Sequence, residues 1–154
     1  MPPELYVAAL LLLVWTGLMI LIARVTGWAL LAKAYPLPRP FRGDRWRFQS
    51  ASMRYKTNYG LCLTVGANPE GFYLAILFPF RPGHPPLFIP WTDISAAVKP
   101  SRMFPYRQIG LRFVELRFQR VPEVPLRIME RLGRRLARSA DPAWPGPKDE
   151  RRYV

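Results

Sequence analysis

Three side chains could by themselves do chemistry: His84, Asp93 and Cys62, the histidine and the cysteine each occurring once. His84 lies between Gly83 and Pro85 in a proline-rich stretch, where an imidazole could move a proton near neutral pH. Asp93 follows Ile89-Pro90-Trp91-Thr92, and acid/base work there would need a second group beside it. Glu70 and Glu115 fall in separate turns or strands, with no readable pairing to Asp93. A metal site needs three or four ligands at workable spacing, and none is present. Nor is there a Gly-rich phosphate loop, a Gly-x-Ser-x-Gly elbow or a His-Glu-x-x-His run. The expectation is therefore no catalytic residue, no metal and no cofactor. His84 is read as a structural loop residue, Asp93 as a turn cap and Cys62 as a small packing residue in a strand. The alternative, an enzyme built on His84 and Asp93, stands or falls on their being brought together.

Charge is the stronger signal. Lys and Arg number 23 against 10 Asp and Glu, a net +13. An excess of this size suits nucleic acid or an anionic membrane surface. Residues 41–48 (FRGDRWRF) interleave Arg42, Arg45 and Arg47 with Phe41, Trp46 and Phe48. Beside a bilayer the aromatics would enter the headgroup layer and the arginines meet anionic lipid, at about 1 kcal/mol per basic residue. Arg39, Arg42, Arg45, Trp46 and Arg47 are accordingly the candidate membrane-surface residues; a solvated linker is the alternative. The same alternation would suit bases stacking on aromatics, but no nucleic-acid motif accompanies it, so nucleic acid is not an expected partner. A second basic group, Arg131, Arg134, Arg135 and Arg138, recurs at helical spacing. It offers a face for lipid headgroups, an acidic partner or RNA, or simply a solvated one.

The elements that must carry these groups begin with an anchor. Residues 5–23 (LYVAALLLLVWTGLMILIA) hold no charge. As a helix they span ~28 Å, near the thickness of a bilayer's hydrocarbon. A cleavable leader would open with Lys or Arg and a shorter apolar run, whereas this chain opens Met-Pro-Pro-Glu. Only Glu4 precedes the run, while Arg24, Lys33, Arg39, Arg42, Arg45 and Arg47 follow it. The positive-inside rule then predicts an outside N-terminus and a cytoplasmic C-terminal portion. Trp28 and Tyr35 suit the interfacial belt, which predicts one helix continuing past Arg24 to emerge near Lys33. Thr16-Gly17 is a small-residue spot where another helix could pack.

Pro36-Leu37-Pro38-Arg39-Pro40 cannot continue a helix and reads as a stiff spacer. From Phe48 the apolar residues alternate, Ala51, Met53 and Tyr55 against Ser52, Arg54 and Lys56. Residues 61–65 and 72–78 pair as a hairpin around the turn Asn68-Pro69-Glu70-Gly71. Residues 79–86 form a rigid proline loop. Short strands follow at 87–90, 94–99, 111–119 and 124–128, with a bulge or two-sided burial expected where Phe113 and Val114 break the alternation. Residues 129–139 form an amphipathic helix, with Ile128, Leu132 and Leu136 inward. The expected divisions are an anchor at 1–35, a Pro/Arg-rich juxtamembrane linker at 36–47, a β domain at 48–139 and a flexible tail at 140–154.

Gly71-Phe72-Tyr73-Leu74, followed by Phe88-Ile89-Pro90-Trp91-Thr92-Asp93-Ile94, resembles the "GLYL … IPW.DI" pattern of bacterial pleckstrin-homology-like (GRAM-like) domains. Residues 80–87 (FRPGHPPL) resemble a segment of uncharacterised bacterial membrane proteins that pair one anchor with such a domain. The resemblance covers roughly residues 48 to 139. It implies a PH-like small barrel of about seven strands closed by a C-terminal helix, in the bacterial inner membrane, docking lipids or proteins without catalysis. Arg54 and Lys56, followed by Thr57-Asn58-Tyr59-Gly60, depart from a full phosphoinositide pattern in the first hairpin. The functional expectation is a membrane-anchored, non-catalytic interaction module binding a protein partner, anionic lipid or both. The alternative is an accessory subunit of a larger membrane complex.

Overall fold

The computed structural model describes residues 2–54, 57–100 and 108–146. Helix α1 (Pro3–Thr26) is long and apolar enough to cross a membrane. The chain does not continue as one helix to Lys33. It turns at Gly27, whose φ of 92° is left-handed, and restarts as α2 (Trp28–Ala34). The turn is forced by packing, because a Cβ on Gly27 would lie 2.5 Å from Val124 Cγ2. Trp28 and Tyr35 therefore do not form an interfacial belt. Trp28, Leu31 and Tyr35 are buried in the core of the β domain, where each is worth roughly 1.5–3 kcal/mol of burial.

Seven strands follow: β1 (Asp44–Ser52), β2 (Asn58–Ala67), β3 (Gly71–Ile76), β4 (Leu87–Pro90), β5 (Ile94–Pro100), β6 (Arg112–Phe118) and β7 (Val121–Met129). All pairings are antiparallel, in the order β4-β3-β2-β1-β7-β6-β5. The predicted hairpin is present, with Leu63 opposite Ile76, and Asn68 Oδ1 closes its turn on the Glu70 and Gly71 amides. Among the described residues the sheet is not a closed barrel, because its edge strands β4 and β5 are not paired with each other. They are nevertheless consecutive in the chain, joined by the single turn Trp91–Asp93. Flat, seven strands would separate these edges by ~29 Å, yet the link from Pro90 to Ile94 reaches at most ~14 Å. The sheet must curl. One core fills it, and α3 (Glu130–Ala140) adds Leu132, Leu136 and Ala140 to the residues of α2.

Several boundaries move for physical reasons. Residues 36–43 are not a spacer standing between anchor and domain. Pro36 bridges Leu87, and Phe41 stacks on Tyr73 at 4.6 Å in a small second core, so the segment straps the β4 edge. The first strand begins at Asp44 rather than Phe48, taking Trp46 and Arg47 into the sheet. The last strand runs nine residues because Pro122 and Pro125 fall where the ladder tolerates them. The irregularity of β6 lies between Leu116 and Phe118, while Val114, Glu115 and Leu116 are all buried. Trp144, in the expected tail, is buried 5.4 Å from Trp91. Tyr55, Lys56 and residues 147–154 lie outside the described residues.

Gly27→Ala should lower the stability of the detergent-solubilised protein by roughly 1–3 kcal/mol, from left-handed strain plus overpacking against Val124. A thermal or urea melt unchanged from the parent would show that the bend tolerates a methyl group.

Candidate functional site

The candidate reactive residues have separate partners. His84 is 1% exposed and sits under the bend between α1 and α2. Its Nδ1 lies 3.0 Å from the Pro82 carbonyl, an acceptor only, so Nδ1 carries the proton. Nε2 then accepts from the Tyr59 hydroxyl at 3.1 Å, and the Tyr59 oxygen accepts from Thr26 Oγ1 at 2.6 Å. The Trp28 ring stands edge-on to His84 at 5.1 Å, and its Nε1 donates to the Pro85 carbonyl. This chain of bonds ties the end of α1 to β2 and to the proline loop. Burial pushes the His84 pKa below its ordinary 6.5, and the bond to the Pro82 carbonyl opposes that only in part.

Asp93 does not cap its turn. The short helix Trp91–Asp93 has no side-chain cap, and the carboxylate pairs with Arg120 at 3.2 Å. Cys62 is half-buried beside the core. Among the described residues, no group of three or more His, Cys, Asp and Glu could hold a metal ion.

Three sets of basic residues stand out among the described ones. Arg39 pairs with Glu70 at 3.3 Å, both exposed. Arg45 bonds the Phe41 carbonyl and lies over the Phe41 and Tyr73 rings at 5.3 and 5.2 Å. Trp46 packs against the core, while Arg42 and Arg47 are exposed. These residues cluster where β1 starts, opposite Ala67. The Tyr59 contact with Thr26 is at the other end of β2, eight residues or ~26 Å of strand away.

The second set was not foreseen. Glu115, buried on β6, is held by Lys99 at 2.9 Å, Arg117 at 2.8 Å and Arg127 at 3.0 Å. Burial raises its pKa, but the three cations more than offset that and bring it to about 2. The signal was in the register, since Arg127 faces Glu115 directly and Lys99 lies diagonally across β5. An isolated strand sequence does not carry that pairing.

The third set matches the helical spacing. Arg131, Arg134, Arg135 and Arg138 share one exposed face of α3 and line a shallow depression of about 280 Å³. Arg134 also pairs with Glu130 at 3.7 Å. At the end of the helix Ser139 bonds Asp44, which puts Arg138 near the sheet end remote from α1. Comparison with protein-family models, with curated proteins and with solved structures finds no match.

Two pH effects follow. Glu115 has a depressed folded pKa, so its contribution is complete above about pH 4.5 and is lost as pH falls toward about 2. Glu115→Gln should remove that acid slope and cost on the order of 2 kcal/mol at neutral pH, allowing for solvent around the half-exposed cations. Unfolding curves across pH that superimpose for parent and variant would refute this. His84 also has a depressed folded pKa, but as a base it binds protons more readily when unfolded. Its contribution is complete above 6.5 and is lost as pH falls below that value. His84→Gln should flatten the melting temperature between neutral pH and pH 5.

Proposed function

We propose that the protein is a membrane-anchored, non-catalytic docking module: α1 spans the bilayer and carries the curled β domain on its cytoplasmic side. The observation that supports it best is the joint between the two. Trp15 Nε1 donates to Pro79 O at 2.7 Å, Thr26 bonds Tyr59, and α2 lies in the domain core. An anchor so joined holds its domain in one orientation, which a flexible tether would not. Arg24 and Lys33 after α1, with only Glu4 near its start, favour the inside orientation. A seven-strand sheet followed by a C-terminal helix is the part of the pleckstrin-like expectation that this reading uses, without the closed barrel.

The docking face is the arginine stripe of α3. Arg131, Arg135 and Arg138, beside the Glu130-paired Arg134, present guanidinium groups on one face that suit carboxylates, which arginine binds in a forked geometry. Because the stripe starts at the end of β7 nearer α1 and runs to the remote end, where Ser139 bonds Asp44, an acidic protein suits its whole length better than the lipid surface beside the anchor. Tethering keeps such a contact occupied even where its intrinsic affinity is weak.

Two measurements test this. The chain should stay with membranes through alkaline carbonate washing, and Leu12→Arg with Leu13→Arg should release it. A stoichiometric assembly should appear on native sizing in mild detergent, and Arg131→Glu with Arg135→Glu should abolish it while anchorage and melting are retained. A lone chain on sizing, or an assembly indifferent to these reversals, would sink the docking claim.

A further inference from the structure

The helix and the β domain share more than a hinge. One stripe of α1, comprising Thr16, Met19, Ala23 and Thr26, is covered to different degrees, and the covering element near its middle is the proline loop 77–86. Trp15 bonds the Pro79 carbonyl and packs on Phe80 at 5.8 Å, while Gly83 lies so close that a Cβ would fall 2.8 Å from Ile20 Cα. Depth follows from helix rise. Taking Arg24 as the headgroup boundary, Trp15 lies ~14 Å deeper along the axis. One leaflet holds only ~15 Å of hydrocarbon. A loop bonded to Trp15 cannot remain in water while α1 crosses the membrane.

Its surface suits that position. Phe78, at the tip, is 80% exposed, and Leu61 is 68% exposed. The Leu77 amide bonds the Cys62 carbonyl, which extends the β2–β3 register and brings Leu61 beside Phe78. Leu61 adopts a positive φ of 52° within the irregular stretch of β2 facing β1. A left-handed leucine costs roughly 1–2 kcal/mol, and here the cost serves to turn an apolar side chain outward at the end of the domain nearest α1.

Much of the loop backbone, the amides of Phe78 and Gly83 excepted, is also prepared for a medium that offers no hydrogen bonds. Pro79, Pro82, Pro85 and Pro86 have no N–H to desolvate. The amides of Leu77, Phe80, Arg81 and His84 are bonded within the protein. So are the carbonyls of Leu77, Phe78, Arg81 and Pro82, and tryptophan side chains satisfy those of Pro79 and Pro85. Arg81, exposed at the loop, is long enough to carry its charge back to the headgroups.

We infer that the loop 77–82, with Leu61 beside it, is a second membrane contact: an apolar wedge that enters the cytoplasmic leaflet alongside α1 and takes phospholipid acyl chains as its neighbours. This rests on α1 crossing the membrane, and the test separates the two claims. The full chain, in a Cys62→Ala background, is labelled with an environment-sensitive fluorophore at Leu11→Cys, Phe78→Cys, Leu61→Cys or Glu70→Cys. Each labelled protein is reconstituted into phosphatidylcholine–phosphatidylglycerol vesicles with nitroxide-labelled lipid, and its melting is compared with the unlabelled parent. Positions 78 and 61 should give blue-shifted emission and lose intensity to the lipid nitroxide, as position 11 does. Position 70, in the turn at the remote end of β2, should respond only to an aqueous quencher. Quenching at 11 with 78 and 61 open to the aqueous quencher overturns the wedge and leaves the anchor standing. Positions 78 and 61 shielded from both quenchers also overturn it, because protein then covers the patch. Position 11 untouched by lipid removes the anchor and the wedge together.

Discussion

The contact of Gly27 with Val124 is the constraint on which the rest of the molecule turns. There the backbone of the apolar helix comes so close to β7 that only a residue without a side chain fits, in a conformation that glycine adopts at little cost. The bend it permits sends Trp28 and Leu31 into the β core and leaves α1 leaning on the domain. Beneath the bend a buried polar cluster is satisfied in one direction, from Thr26 through Tyr59 and His84 to the Pro82 carbonyl. Apolar packing supplies the attachment there, and the hydrogen-bond chain sets its geometry, since a buried polar group left unpaired would be costly.

Charge is distributed with the same economy. A chain with 23 basic and 10 acidic residues cannot pair them one to one. Three of the cations are drawn to one buried carboxylate, Glu115, where they stitch β5, β6 and β7 together on one face. Others are absorbed by local partners, Arg45 by the rings of Phe41 and Tyr73 and Arg120 by Asp93 and Tyr35. On α3, Arg131, Arg134, Arg135 and Arg138 share one exposed face, with Arg134 also drawn to Glu130. Total charge therefore says less about binding than the short-range pairing that subtracts from it.

The position of the apolar exposure completes the picture. Leu61 and Phe78 stand near the same end of the sheet as the Thr26 contact, and the β1 start with Arg42, Arg45 and Arg47 is at the other. Along β2 and β3 the exposed apolar pair thus lies toward the helix, and the start of β1 with its arginines lies away from it. A basic, aromatic stretch directly after an apolar helix reads as membrane-facing when distance is counted along the chain. The strap formed by residues 36–43 carries it instead along β4 to the opposite end.

Short-range rules were enough to determine the apolar helix, the Asn68–Gly71 turn, the β2–β3 pairing and the amphipathic face of α3, from hydropathy, turn chemistry and periodicity. The same rules placed the four arginines of α3 on one face, because helical spacing alone decides it. Only tertiary structure decided the break at Gly27, the burial of Trp28 and Tyr35, the open curl of the sheet and the cations around Glu115. Each of these depends on what a residue meets from a distant part of the chain: Val124 across from Gly27, Arg127 across from Glu115, Pro79 beside Trp15. Local sequence determines what a segment can form, whereas close packing between segments decides which side of it is covered and which is left to bind.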